Sequence, residues 1–377
     1  MNNKHFGPST FFISDKSIFD GLMQKKISKD KLLNFLRKRG IFLSHNASQA
    51  EIAAYISRSY IDYHDLKEIY SFLEGGKRKE KMTSSVVDAN VNMSDLISAC
   101  QTFKDDSHQV GEVCEINQSG DTTQVSITYE EVDFSKNELR QKNTKKIELE
   151  IKSTDTSLII RRPANDKSDD CVDKILRNIS SVTGAELKTQ NISLLGFPDP
   201  KARSFFFERL IHSIEGYQLD DVVIVSIYHL PMTVSDKENL VPDEELEPDE
   251  ELEMEEELEN EVTGYIRKAV LDGVGVLHSS EFNQLHDKGF FISKIVWTSV
   301  DRHITNSRKV EFEALFKEPV NCNHFAYSYK GYFERGNDDS FQITRKSFSQ
   351  SENKSMLDLL EKSARSAYQE VVEKYSN

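Results

Sequence analysis

Paired cysteines, long apolar runs and basic charge are what this chain of 377 residues has least of. Its four cysteines, Cys100, Cys114, Cys171 and Cys322, stand far apart with no CxxC spacing. That excludes a zinc knuckle or a disulfide framework and fits reduced thiols in a cytoplasmic setting. No stretch reaches the roughly 18 apolar residues that a membrane span needs. The opening "MNNKHFGPSTFF" lacks the apolar run of a signal peptide. There is no phosphate-binding Walker loop, no GxGxxG at a strand–helix junction, no GxSxG elbow and no HExxH. No cofactor, no metal, no membrane contact and no reaction is expected from such a sequence. The net charge of −15 argues against a general nucleic-acid coat.

The average hides a split. Residues 1–81 hold 15 Lys+Arg against 9 Asp+Glu, a net of +6, so the rest carries −21. With 22 Phe and 13 Tyr there is ample core material for two or three domains. The composition is rich in Lys, Asn, Ser, Ile and Phe and poor in Ala. It suggests an AT-rich, horizontally moved bacterial gene and hence a mobile or anti-phage defence setting.

The patterning predicts an α+β protein. A small all-helical module, 1–76, leads into a basic flexible linker, 77–90. An α+β subdomain follows at 91–235, then an acidic low-complexity loop at 236–261. The last part, 262–377, holds an antiparallel meander and a terminal helix, packed with 91–235. In the module, "KSIFDGLMQKK", a helix capped by Ser28, a helix opened by the capping box "SQAE" and a helix capped by Asp62 make a four-helix set. Gly40 suits the left-handed stop of the second helix. Later, "VTGYIRKAVLDG" and "SSEFNQLHDKG" read as helices, and "FFISKIVWTSV", "KVEFEALF", "HFAYSYKGYFE" and "SFQITRKSF" as four strands. On the terminal helix Met356, Leu359, Leu360, Ala364, Ala367 and Val371 share one face.

The stretch "SKDKLLNFLRKRGIFLSHNASQAEIAAYISR" carries the functional reading. Leu32, Leu33, Phe35 and Leu36 form an apolar face on one helix; Ile52, Tyr55 and Ile56 answer on the next. Leu32, Leu36, Arg37, Lys38, Arg39, Gly40, Ile41, Ser44, Glu51, Ile52 and Ile56 together resemble the helix–extended-loop–helix modules of the SAP, LEM and Rho-N-terminal type. A SAP resemblance implies DNA contact, chiefly through the backbone; LEM modules keep the fold and bind protein. Lys31, Arg37 and Lys38 project away from the apolar face, with Arg39 along its edge, and Ser48 and Gln49 present a helix N-terminus suited to a phosphate. Lys31, Arg37, Lys38, Arg39, Ser48 and Gln49 are therefore the candidate DNA-binding residues. The expected partner is DNA or a partner protein, and the expected role is an accessory protein, with a protein–protein adaptor or sensor as the alternative and a cryptic metal-dependent nuclease as a third.

Other motifs are weaker. Thirteen of the nineteen residues from 243 to 261 are acidic, which reads as a solvated insertion or as an acidic tether for a basic surface. Glu150-Ile-Lys152 matches the short half of a PD-(D/E)xK nuclease motif, with Asp121 or Asp133 as the missing acid. Glu148, Glu150 and Lys152 are equally the polar positions of an alternating strand. His278 and His286 lie near Glu281 and Asp287, and Cys322 near His324, without complete metal spacing. Arg161 and Arg162 end a strand in an acidic body, where pairing with acids is the expectation.

Overall fold

The computed structural model describes residues 13–25, 27–73, 80–89, 91–135, 138–154, 156–230, 267–302, 307–336 and 340–376. The acidic segment 236–261 lies outside them. The chain divides into two compact units, each assembled from separated stretches. The first takes Met1–Lys79, Asn90–Thr156 and Asp166–Leu187; the second takes Glu80–Ala89, Ser157–Asn165 and Lys188–Asn377.

The first unit opens with four helices, α1 (Asp15–Leu22), α2 (Lys29–Lys38), α3 (Gln49–Ser57) and α4 (Tyr63–Leu73). Their boundaries follow local chemistry. Ser14 caps α1 by accepting from the Ser17 amide, and Asp62 accepts from the amides of His64 and Asp65 at the head of α4. Gly40, at φ 74°, ends α2, and the Ile41 amide returns to the Leu36 carbonyl in a Schellman closure. The apolar faces close on one another, leaving Leu22, Leu32, Leu36, Ile52, Ala53, Ile56 and Ile69 without solvent exposure. Each of these leucines and isoleucines contributes about 1.5–3 kcal/mol by leaving water.

The helical core is completed from outside the four helices. A single 3-10 turn, Glu138–Arg140, delivers Leu139 into it at 2% exposure. A methyl built on Gly21 would lie 2.9 Å from Leu139 Cδ1, with Leu73 beside it. Glu138 meanwhile accepts from the Ser14 amide at 3.0 Å.

The strand β1 (Met82–Asp88) follows α4 in the chain but belongs to the second unit. The first unit resumes with α5 (Met93–Gln109) and the strands β2 (Val113–Ser119), β3 (Thr122–Val132) and β4 (Lys142–Ser153), an antiparallel set. After β5 (Ser157–Pro163), again of the second unit, α6 (Asp166–Thr183) returns to pack against α5. Val125, Ile127, Ile147, Leu149 and Ile151 are buried, as period-two alternation requires.

The second unit adds β6 (Lys188–Asn191), α7 (Pro200–His212), β7 (Tyr217–Tyr228), β8 (Lys268–Asp272), α8 (Ser280–Asp287), β9 (Phe291–Asp301), β10 (Lys309–Glu318), β11 (Asn323–Phe333) and α9 (Gln350–Tyr375). Its sheet runs β5-β1-β11-β10-β9-β7-β8, antiparallel throughout, with β6 also along β1. The expected meander is β9-β10-β11. Helices α7, α8 and α9 all join the core on one face of this sheet, around Phe206, Phe207, Trp297, Phe312, Phe316 and Leu360. The α+β class, the helical start and the terminal helix thus stand as the sequence predicts.

Several local expectations are corrected. Residues 82–88, read as part of a linker, form β1, a strand paired on both edges. Its sequence "MTSSVVD" hides this because Ser84 and Ser85 are buried through hydrogen bonds with Arg365 and Arg162, not by apolarity. Residues 268–272, read as helix, form the edge strand β8, whose exposure alternates with period two. The stretch "SFQITRKSF" makes only isolated bridges, Arg335 to Phe341 and Tyr332 to Lys346, instead of a strand.

Candidate nucleic-acid interface

The outward side of α2 carries the exposed residues Lys31, Asn34, Arg37 and Lys38, while Leu32, Leu33, Phe35 and Leu36 are buried. Helical periodicity dictates this split: apolar residues at 32, 33, 35 and 36 leave positions 31, 34, 37 and 38 to solvent. Arg37 donates to Asn34 Oδ1 at 2.9 Å and approaches His45 Nε2 at 3.4 Å. Lys38 pairs with Glu68 of α4 at 2.7 Å. That pair is exposed, so it is weak and leaves the ammonium able to exchange partners.

The other three candidates hold the module together. Arg39 is drawn inward, donating to the Tyr60 carbonyl, standing 3.5 Å from Asp65 and lying over the Phe35 ring. Ser48 and Glu51 form the capping box: the Ser48 hydroxyl accepts from the Glu51 amide at 3.2 Å, and the Ser48 amide donates to Glu51 Oε2 at 2.7 Å. The amide and hydroxyl of Ser48 hold the Glu51 carboxyl below the usual carboxylate range. A carboxylate therefore already stands at the α3 N-terminus, where a phosphate was expected. Gln49 turns away from solvent, its Nε2 donating to the Leu22 and Ile27 carbonyls at 2.9 and 3.1 Å. It ties the loop between α1 and α2 to the start of α3.

Aromatic exposure is the signal that periodicity missed. Phe42 is 79% exposed, Tyr60 83% and Tyr63 65%. All three lie in or beside loops, where no helical period assigns them to a face. Lys67 sits 4.6 Å above the Tyr63 ring.

The nuclease half-motif takes its plainer form. Ile147, Leu149 and Ile151 face inward, and Glu148 and Lys152 outward. Glu150 pairs in register with Gln124, whereas Asp133 follows the far end of β3, about 30 Å away at roughly 3.3 Å per residue. Cys322 is buried and the neighbouring His324 exposed, so the two do not converge. His286 stacks on Phe282. Among the described residues no group of three His, Cys, Asp or Glu is placed to hold a metal ion. No helix there is long and apolar enough to cross a membrane. Burial pushes the Cys100 and Cys322 thiols up to about 12, and those of Cys114 and Cys171 up to about 11, which removes thiolate chemistry near neutrality.

Arg161 meets the acids expected of it. Its guanidinium donates to Glu361 Oε2 through Nε at 2.9 Å and Nη2 at 2.7 Å, and Nη2 also reaches Asp358. Arg365 approaches the other oxygen of Glu361. Both Arg161 and Glu361 are buried, which makes this a structural clamp of α9 onto β5.

Residues 16–81 match the family model of the GAPS4b protein N-terminal domain, a span from the second residue of α1 through α4. The match is to that domain and not to the SAP, LEM or Rho-N-terminal modules. No curated protein matches the chain.

Proposed function

We propose that this chain is an accessory component of an anti-phage defence system that contacts DNA, or a complex seated on DNA, through its N-terminal module. The defence setting is supported by the match of residues 16–81 to the GAPS4b N-terminal domain and by the composition of the chain. The DNA contact is carried by one observation. Lys31, Arg37 and Lys38 stand exposed on the outward side of α2, while Arg39, Ser48 and Gln49 are engaged inside the module. The interface is thus three cations on one helix, a backbone reader without base contacts.

The test is fluorescence anisotropy of a labelled duplex with the full chain. About three neutralised phosphates give a slope of log affinity against log salt near −3. The double variant Arg37→Glu/Lys38→Glu leaves the buried face of α2 intact and weakens binding to unrelated sequences alike. Absence of the effect, or no binding at about 20–50 mM salt, where screening is weak, removes the reading.

A second reading, docking of a partner protein, is favoured by the exposure of Phe42, Tyr60 and Tyr63. In that case Phe42→Ala/Tyr60→Ala abolishes a co-purifying partner that survives nuclease treatment, and Arg37→Glu/Lys38→Glu does not.

A further inference from the structure

In the second unit, α7, α8 and α9 pack on one face of the sheet. The opposite face of its central strands carries charged and hydroxyl side chains among the apolar Val296, Leu315 and Ala326. On β10, Val310, Phe312, Ala314 and Phe316 belong to the core, so Glu311 and Glu313 point the other way. In register beside them stand Thr298 and Val296 on β9 and Ser328 on β11.

Each carboxylate gathers two cations. Glu313 Oε1 lies 3.1 Å from Lys294 Nζ and 3.5 Å from Lys81 Nζ. Glu311 lies 2.6 Å from Arg345 Nη2 and 3.5 Å from Lys330 Nζ. Burial alone would push the Glu313 carboxyl up, but Lys81, Lys294 and Lys330 outweigh it and hold it below the usual range. Glu313 therefore stays charged and fixes its cations in place. Four cations against two carboxylates leave the cluster at +2 in a chain of net charge −15.

The geometry suits a strand of phosphates. Lys294 stands opposite Leu315 and Lys330 beside Glu311 and Phe312, on strands either side of β10, so with neighbours roughly 4.8 Å apart and about 3.3 Å per residue they are about 14–15 Å apart at the sheet. The carboxylates sit at the bottom, with side chains 7% and 11% exposed, while Lys81, Lys294, Lys330 and Arg345 rise above them at 30–43%. These partly recessed cations are accessible to a flexible chain lying across the strands and poorly accessible to a rigid duplex. Arg345 also lies over the Phe333 ring at 5.7 Å, which orients its guanidinium.

We propose that this sheet face binds the phosphodiester backbone of single-stranded nucleic acid, with Lys81, Lys294, Lys330 and Arg345 as the contacting cations. The site is independent of the N-terminal module and shares no residue with it.

The experiment is fluorescence anisotropy of the full chain with labelled oligothymidine of about 20 nucleotides, and with a duplex of equal length. Two to four neutralised phosphates give a salt slope of roughly −1.4 to −2.8 for the single strand. Lys330→Gln/Arg345→Gln is expected to lower single-strand affinity about tenfold or more at low salt, while Lys330→Arg/Arg345→Lys retains it. In the Arg37→Glu/Lys38→Glu background Lys330→Gln/Arg345→Gln still lowers oligothymidine affinity about tenfold or more, which separates this site from the module.

Acetylation of the unaltered chain gives a readout that needs no variant: oligothymidine should protect Lys81, Lys294 and Lys330. The proposal is overturned if the chain binds no oligothymidine at about 20–50 mM salt, or if these lysines stay unprotected. It is also overturned if the charge-retaining variant loses as much affinity as the neutral one, or if, in the Arg37→Glu/Lys38→Glu background, duplex binds as tightly as single strand or no oligothymidine binding remains.

Discussion

Leu139 offers the sharpest test of how the first unit is built. It arrives from a short 3-10 turn far along the chain, yet it is 2% exposed among Ile18, Leu22, Leu73 and the rest of the helical core. Leu139→Ala removes buried methyl groups and leaves a cavity whose floor, Gly21, has no side chain to fill it. Such truncations cost about 2–5 kcal/mol, the higher end applying where the walls do not collapse. Against a domain stability of roughly 5–15 kcal/mol that is a large share. Because α1 and α4 touch the turn directly, their amides should report the loss in native-state hydrogen exchange. Opening of these helices should become roughly 30- to 4000-fold more frequent. Leu139→Met, which conserves volume, should stay within about 1.5 kcal/mol of the original. The fragment 1–81, which lacks Leu139 and Glu138, should for the same reason melt lower than the module does in the full chain. Wild-type exchange rates for α1 and α4 in Leu139→Ala would refute the argument and restore a self-sufficient module.

Further outcomes follow from the described geometry. Glu361→Ala leaves the buried Arg161 and its neighbour Arg365 without their shared acid, which should cost about 3–5 kcal/mol in urea unfolding; Arg161→Met/Glu361→Leu together should cost less. The hydroxyl and amide of Ser349, with Arg308, depress the Glu352 carboxyl from 4.5 to about 2. A depressed acid stabilises above its unfolded value, so this contribution is complete at neutral pH and is lost as pH falls from about 4.5 towards about 2. Nuclear magnetic resonance of the α9 N-terminus should show fraying in that window, and Ser349→Ala should shift the Glu352 titration upward. Since all four cysteines are buried and their thiols raised to about 11 or 12, native protein should resist maleimide and the urea-unfolded chain should take four labels.

What the sequence discloses and what it conceals have physical causes. The four helices are legible because their signals are local. Ser48 and Glu51 announce a capping box, Asp62 a cap and Gly40 a left-handed stop, and each does that work. The terminal helix is legible because Met356, Leu360, Ala364, Ala367 and Val371 recur at helical spacing, and all are buried. Strand β1 is not legible, since two of its three buried residues are serines whose hydroxyls are satisfied by arginines distant in sequence. Leu139 is not legible either, because nothing local says which core a lone leucine enters. At the candidate interface, the exposure of Lys31, Arg37 and Lys38 follows from periodicity. The inward turn of Gln49 depends on the carbonyls of Leu22, at the end of α1, and Ile27, in the loop after it, that no helical pattern reveals. The paired charges around Glu311 and Glu313 come from four segments of the chain, and only the sheet register brings them together.

The interleaving of the two units also sets an order of events at the ribosome. The four helices emerge first, but their core stays open until residue 139 appears. Strand β1 has a longer wait. Its partner β5 ends at Pro163, and β6, which fills the other edge along Ser85–Asp88, ends at Asn191, about 100 residues after β1, while β11 meets it only at Met82. At roughly 5–20 residues per second that interval lasts about 5–20 s. During it a strand with an unfilled edge must avoid strangers. The serines of β1 suit that interval: a strand rich in hydroxyls makes a poor seed for aggregation, and it becomes core only when its arginines arrive.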